Sequence, residues 1–268
     1  MQSCDKPAAA QLYFLSNPYY SYISLKILKN QVKPSETRAI CGLDNGHGAI
    51  PVIAIDGPGG SGKGTVAMRL AQELGWHFLD SGILYRIVAV AAMDRNIGPD
   101  DEQQLGELAE HLDVNFGFLG DGIVILLDGN RISGRMRSEE VSEFASKCAI
   151  IPAVRAALVQ RQRAFRKLPG LVADGRDMGT VIFPDAKLKI FLTANAEARA
   201  NRRYKQLKEK GESVNLSRLF QEIKKRDERD MSRSIAPLKP AADAHVIDST
   251  DMSIDKVLSK IHSLLEVN

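Results

Sequence analysis

The sequence is poor in the features that mark secreted, metal-stapled or membrane-spanning proteins. Its 268 residues include three cysteines, Cys4, Cys41 and Cys148, with no Cys-x-x-Cys pair. That scatter argues against a disulfide framework or a zinc site and suits a reducing compartment, the cytoplasm. The longest unbroken apolar run, residues 87–93, is far below the roughly 20 residues a membrane-spanning helix needs. The first thirty residues carry Asp5, Asn17, Lys26 and Lys29 and lack a compact apolar centre, so no secretory signal is expected. Excess charge is scarce as well: 36 Lys and Arg against 33 Asp and Glu leave a formal net charge of +3. Nucleic-acid coats carry more. Aromatics make up 6% of the chain, and only Phe165, Tyr204 and Phe220 fall among its basic stretches, so a nucleic-acid binding surface is disfavoured. No Asn-Lys-x-Asp motif occurs, which disfavours a guanine-reading GTPase, and His77, His111 and His245 share no spacing that suggests a base or a metal site.

What charge there is clusters. Residues 155–167 hold five basic side chains and no acid, and residues 199–233 hold twelve Lys or Arg against six Asp or Glu. Either stretch is a solvated helix face or a place for phosphate. Residues 1–49 have no helical or strand period and read as an extension outside the fold, disordered or the product of a mis-assigned start. The next methionine, Met68, lies too far along to begin a shorter product. Residues 50–268 read as the folded body.

The body opens with Pro51-Val52-Ile53-Ala54-Ile55-Asp56, an apolar run without alternation, as a strand buried on both faces of a parallel sheet would be. Val66, Leu70 and Leu74 then recur at helical spacing, and Gly75 stands where a C-terminal cap belongs. Further strands are expected at 76–80, 171–174, 188–193 and 245–248, each separated from the next by helical pattern. The fold class is therefore α/β, with a parallel sheet of about five strands flanked by helices. One stretch breaks the rhythm: runs at 114–119, 123–127 and 131–132 are joined by Gly120-Asp121-Gly122 and Asp128-Gly129-Asn130, the chemistry of tight antiparallel turns. A small inserted β-meander is expected there.

Between the first strand and the first helix runs Gly57-Pro58-Gly59-Gly60-Ser61-Gly62-Lys63-Gly64-Thr65. Such a loop is a P-loop: glycines let successive N–H groups turn inward, the helix N-terminus adds partial positive charge, and the lysine reaches the β- and γ-phosphates of ATP. Gly64 replaces the usual Ser or Thr after the lysine, and Thr65 follows one place later. That displacement argues against direct hydroxyl ligation of the Mg²⁺ that accompanies ATP. Asp174, closing an apolar run, is placed either as a Walker-B-like carboxylate near that metal or as an ordinary strand-end turn residue.

From about Val52 to the C-terminus the chain resembles the bacterial cytidylate kinases, within the P-loop nucleoside monophosphate kinases. The P-loop carries the resemblance together with Leu79-Asp80-Ser81-Gly82-Ile83-Leu84-Tyr85-Arg86, Arg161-Gln162-Arg163-Ala164-Phe165-Arg166, Ala173-Asp174-Gly175-Arg176-Asp177-Met178-Gly179-Thr180 and Lys225-Arg226-Asp227-Glu228-Arg229-Asp230. The resemblance implies a monophosphate-binding insert at about 82–150, a lid at about 197–213, and ATP and CMP or dCMP as substrates; a monomer with no nucleic-acid or membrane partner is expected. It implies cytosine recognition by Ser146, Arg155 and Asp177, monophosphate binding by Arg86, Arg176 and Arg233, and ribose-side contacts from Arg226 and Asp230. Arg199, Arg202 and Arg203 become catalytic lid arginines beside Lys63 and Asp174. Ser81 and Tyr85 stay open, the first between ligand and helix N-cap, the second between ligand and packing. Rival readings are a kinase for UMP or AMP, or a non-catalytic nucleotide or nucleic-acid binder.

Overall fold

The computed structural model describes residues 49–119, 122–209 and 211–267. The N-terminal extension, Ala49 apart, and the Gly120-Asp121 portion of the first meander turn lie outside the described residues. Among the described residues, eight strands and eight α-helices follow in the order β1 (Val52–Asp56), α1 (Lys63–Leu74), β2 (His77–Asp80), α2 (Ser81–Asp94), α3 (Glu102–Glu110), β3 (Val114–Leu119), β4 (Gly122–Leu127), β5 (Asn130–Arg131), α4 (Glu139–Cys148), α5 (Pro152–Arg163), β6 (Leu171–Gly175), β7 (Leu188–Thr193), α6 (Ala196–Glu209), α7 (Leu216–Met231), β8 (His245–Asp248) and α8 (Ile254–Val267).

Five strands form one parallel sheet in the order β2-β6-β1-β7-β8, and β3-β4-β5 form a separate antiparallel sheet. The apolar run of β1 explains the layering. Successive side chains of a strand point to opposite faces. Val52 and Ala54 join a core containing residues of α2, α3, α4 and α5, whereas Ile53 and Ile55 join Val66 and Leu70 of α1 and Val257, Leu258 and Ile261 of α8. Helices therefore cover both faces, and the ends of the strands are left to build the site.

Local signals hold at several ends. Gly75 adopts φ 66° and donates its N–H to Ala71 and Gln72 carbonyls, stopping α1. Asp101, Ser138 and Asn215 cap α3, α4 and α7 through side-chain bonds to backbone amides. Two expectations need correction. Asp80, not Ser81, is the N-cap of α2, and its side chain makes no capping bond. No α-helix separates β6 from β7: the chain crosses β1 with a single π-helical turn, Met178–Ile182. That turn is anchored from outside, by Asp56 to the amides of Met178 and Gly179 and by Arg163 to the carbonyls of Ile182 and Val181.

Candidate active site

The P-loop leaves β1 at the carboxyl edge of the sheet and enters α1 at Lys63. Gly57 has φ 152°, and a Cβ there would lie 2.0 Å from the Leu192 carbonyl oxygen, so no other residue fits where the loop crosses β7. The Lys63 ammonium is buried, 3.3 Å from the Pro58 carbonyl and 3.9 Å from the Asp174 carboxylate. Burial, with the Arg176 guanidinium nearby, pushes Lys63 down from its usual pKa, and burial pushes Asp174 up, while each opposes the other's shift with its charge. Gly64 has its explanation here: a Cβ would stand 3.0 Å from Asp174 Oδ2, so the place of the customary hydroxyl is pressed against that carboxylate.

A cleft of about 1020 Å³ runs from this loop to the helices beyond β2. Every candidate site residue of the sequence lines it except Gly57, Pro58 and Arg199. At its far end the Arg155 guanidinium, buried in α5, pairs with Asp177 and donates to Tyr85 Oη at 3.4 Å and to the Ala149 carbonyl at 3.3 Å. Burial pushes the Tyr85 hydroxyl up to about 12, so it stays protonated.

Midway lies a cationic floor built around one carboxylate. Asp230, 1% exposed, receives Arg176 Nε at 2.8 Å and an Arg233 amine, with Arg226 Nε 4.0 Å away. Burial alone would raise the Asp230 pKa, but Arg176, Arg233 and Arg226 outweigh it and hold the carboxyl below its usual value. Arg226 lies on α7 one turn before Asp230, and Arg233 stands three residues after Asp230, just past the end of the helix. Arg233 also donates to Ser146 Oγ at 3.2 Å. From the opposite wall Arg86 enters, its pKa lowered by burial, with Asp80 opposing and Arg203 adding to the effect. Four buried polar atoms in or beside the cleft have no hydrogen-bond partner: Ser61 Oγ, Asp174 Oδ1, Arg226 Nε and Arg233 Nε. Buried polar groups are seldom left so, and here the cleft is where a partner would enter.

The two basic stretches separate in space. Of residues 155–167 only Arg155 reaches the cleft. Arg161 donates to the Glu110 and Leu112 carbonyls, Arg163 to Ile182 and Val181, and Arg166 to Ile50 and Asp185. Those arginines clip loops together. In the second stretch Arg199 is likewise committed: it forks onto Asp227 and donates to the Ala194 and Gly59 carbonyls at 2.9 and 3.1 Å. Arg202 donates to the Ser61 carbonyl at 3.1 Å and to Ser249 Oγ at 3.2 Å, and Arg203 lines the cleft. Arg199 and Arg202 thus rest on the carbonyl side of the P-loop. Sequence reasoning passed over Asp56, Asp80 and Asp227 as site residues. For Asp56 a signal existed: an acidic residue closing a strand otherwise apolar on both faces.

The strand–loop–helix cradle, its buried lysine and a parallel sheet flanked by helices define a P-loop nucleotide-binding protein. The family model described as cytidylate kinase matches residues 53–267. A cytidylate kinase from Stutzerimonas stutzeri (strain A1501) is 60% identical over 216 residues, covering 80% of this chain and 94% of the relative. One from Klebsiella pneumoniae (strain 342) is 56% identical over 211 residues, with coverages of 79% and 93%. The chain belongs to the cytidylate kinase family.

Proposed function

We propose that the cleft transfers the γ-phosphoryl group of ATP to CMP or dCMP, giving ADP and CDP or dCDP. The observation that carries this reading is the sharing of one cleft by the Lys63 cradle, an arginine floor and the Arg155–Asp177 pair. Phosphoryl transfer asks for positioning and positive charge around the equatorial oxygens, with little covalent work from the protein. Residues 57–65 hold the β- and γ-phosphates, with Lys63 as the charge beside them. Its depressed pKa recovers once the phosphates supply negative charge.

Arg86, Arg176 and Arg233 take the acceptor phosphate, since guanidinium forks match phosphate oxygens in geometry and charge. Arg226 and Asp230 border the ribose. At the base, the Asp177 carboxylate accepts from the cytosine N4 amine while Arg155 and Ser146 donate to its acceptors. Uracil would turn an acceptor toward Asp177, leaving unpaired buried groups at roughly 1–3 kcal/mol. Ser81 and Tyr85 complete the wall beside the acceptor. Arg199, Arg202 and Arg203 serve as lid arginines: the first two fix α6 to the P-loop, and Arg203, which lines the cleft, supplies charge to the transferred group.

In this reading Mg²⁺ arrives with ATP; among the described residues there is no group of three or more His, Cys, Asp or Glu side chains placed to hold a metal. Asp174, whose Oδ1 accepts no hydrogen bond and stands 3.9 Å from the Lys63 ammonium, fits the single carboxylate that Mg²⁺ commonly takes from a protein, and Thr65 lines the same cleft. When bound, the ion neutralises charge on the β- and γ-phosphates. No helix among the described residues is long and apolar enough to cross a membrane. We place the enzyme in the cytoplasm as a monomer.

The test is a coupled assay of ADP formation with CMP, dCMP, UMP, AMP and GMP as acceptors. CMP and dCMP should give the highest kcat/KM. A preference for UMP or AMP would overturn the acceptor assignment, and ADP formation indifferent to all five would overturn the kinase reading.

A further inference from the structure

Asp177 occupies the N-cap position of the π-helical turn Met178–Ile182. An aspartate there ordinarily turns its carboxylate onto the free amides of the first turn. Asp177 makes no such bond and pairs with Arg155 across the cleft. The amides are not left bare. Met178 and Gly179 each donate, at 2.8 Å, to the two oxygens of Asp56. Asp56 is the last residue of β1, beside Gly175 in the strand register and directly before Gly57 of the P-loop. It is 5% exposed, and burial raises its carboxyl to about 6, the two amides and Arg176 opposing and Asp177 adding to the rise.

We propose that Asp56 is a positioning residue: by capping the Met178 and Gly179 amides from a neighbouring strand, it leaves the Asp177 carboxylate free to read the acceptor base. The same contact fixes the Arg176-Asp177 segment to the strand that launches the P-loop, so donor and acceptor ends of the cleft share one reference point. The inference rests on the proposed role of Asp177 in reading cytosine. Without Asp56, the Gly179 amide, at the position an N-cap side chain ordinarily serves, is left uncapped, and the Asp177 carboxylate is drawn from Arg155 toward it.

The discriminating experiment is a double-mutant cycle read as the CMP-over-UMP ratio of kcat/KM. Asp56→Asn is nearly isosteric with the parent but offers one acceptor oxygen in place of two. It should lower the ratio by about fivefold or more while KM for ATP stays within about twofold, and the fall should vanish when Asp177→Ala is already present. Equal losses with CMP and UMP, or a fall that persists undiminished in the Asp177→Ala background, overturn the proposal and leave Asp56 a structural carboxylate. If Asp177→Ala by itself leaves the ratio at the parental value, the base-reading role of Asp177 fails, and this proposal with it. Should Asp56→Asn not fold, Asp56→Glu tests the same contact, because its extra methylene displaces both oxygens that the Met178 and Gly179 amides now reach. The ratio should fall there too, and a parental ratio in Asp56→Glu overturns the proposal.

Discussion

The two ends of the cleft are built on opposite plans. The donor end is nine consecutive residues, 57–65, whose main work falls to backbone amides and one lysine. The acceptor end collects Arg86 from α2, Ser146 from α4, Arg155 from α5, Arg176 and Asp177 after β6, and Arg233 after α7. Its charges already neutralise one another: Arg155 on Asp177, and Arg176 and Arg233 on Asp230. A backbone cradle depends on local conformation, so replacing one side chain removes one interaction. A floor of mutually paired side chains depends on the whole fold, so replacing one member leaves its partners uncompensated. Losses at the donor end should therefore appear in turnover with stability spared, and losses at the acceptor end in both.

The largest effect should come from Lys63→Ala. We expect kcat to fall by about a thousandfold or more, because the removed charge is aimed at the transferring group. The fold should survive. Asp174, left without its ammonium partner, has a carboxyl that burial already pushes up and that can take a proton instead of standing as an unpaired charge. Turnover within about threefold of the parent, or a collapse of Tm, would break the comparison at the donor end.

The same contrast decides what can be read from the sequence. The P-loop is legible because nine adjacent residues carry it between an apolar strand and a periodic helix. All five parallel strands are legible too, as short apolar runs that close on a polar residue; β1 and β6 are buried along their whole length, whereas β8 at the sheet edge exposes His245, Val246 and Asp248. The meander follows from its strand runs and turns. The acceptor end is named only through resemblance: nothing in local pattern tells that Arg155 lines the cleft while Arg161, Arg163 and Arg166 clip carbonyls, for all four lie in one basic stretch. The α/β rhythm also predicts a helix between β6 and β7, where the chain instead makes one π turn. Its anchors, Asp56 and Arg163, come from other elements, and a window of sequence cannot register them.

Asp230→Asn should give the next largest effect and locate it at the acceptor end. It removes the charge that neutralises Arg176 and Arg233 and leaves guanidiniums facing one another, a loss of about 3 kcal/mol or more of stability at neutral pH. Added CMP should then raise Tm more in the variant than in the parent, since its phosphate replaces part of the missing charge. The sign with pH follows. The Asp230 pKa lies below the ordinary 3.8, so its stabilisation is fully present above that value and disappears only as pH falls through the lower, folded-state pKa. The difference in stability between parent and variant should hold from neutrality down to about pH 4 and shrink below it. A variant as stable as the parent at neutral pH would show that the floor does not depend on this carboxylate.

A smaller effect is expected where the acceptor end reads chemistry instead of holding charge. In Asp177→Asn an amide replaces the charged acceptor and brings N–H donors suited to uracil O4. The CMP-over-UMP ratio of kcat/KM should shrink by at least about tenfold, or about 1.4 kcal/mol of differential transition-state binding. Some uniform loss accompanies it, because Arg155 also loses its partner. Equal loss with both substrates would make Asp177 a scaffold residue.

The smallest effect should fall on a residue that composition alone places with the phosphate ligands. Arg161 lies in the same basic stretch as Arg155, yet its guanidinium donates at 3.1 Å to the Glu110 carbonyl and at 3.0 Å to that of Leu112. Those oxygens lie at and just beyond the last residue of α3, where carbonyls lack partners and the helix end carries partial negative charge. Arg161→Gln should therefore cost about 1 kcal/mol of stability, read as a small drop in Tm. Turnover and KM for CMP should both stay within about twofold of the parent, because Arg161 has no place in the cleft. If KM for CMP instead rises severalfold while Tm holds, the stretch is a phosphate site after all, and Arg155 loses its distinction from its neighbours.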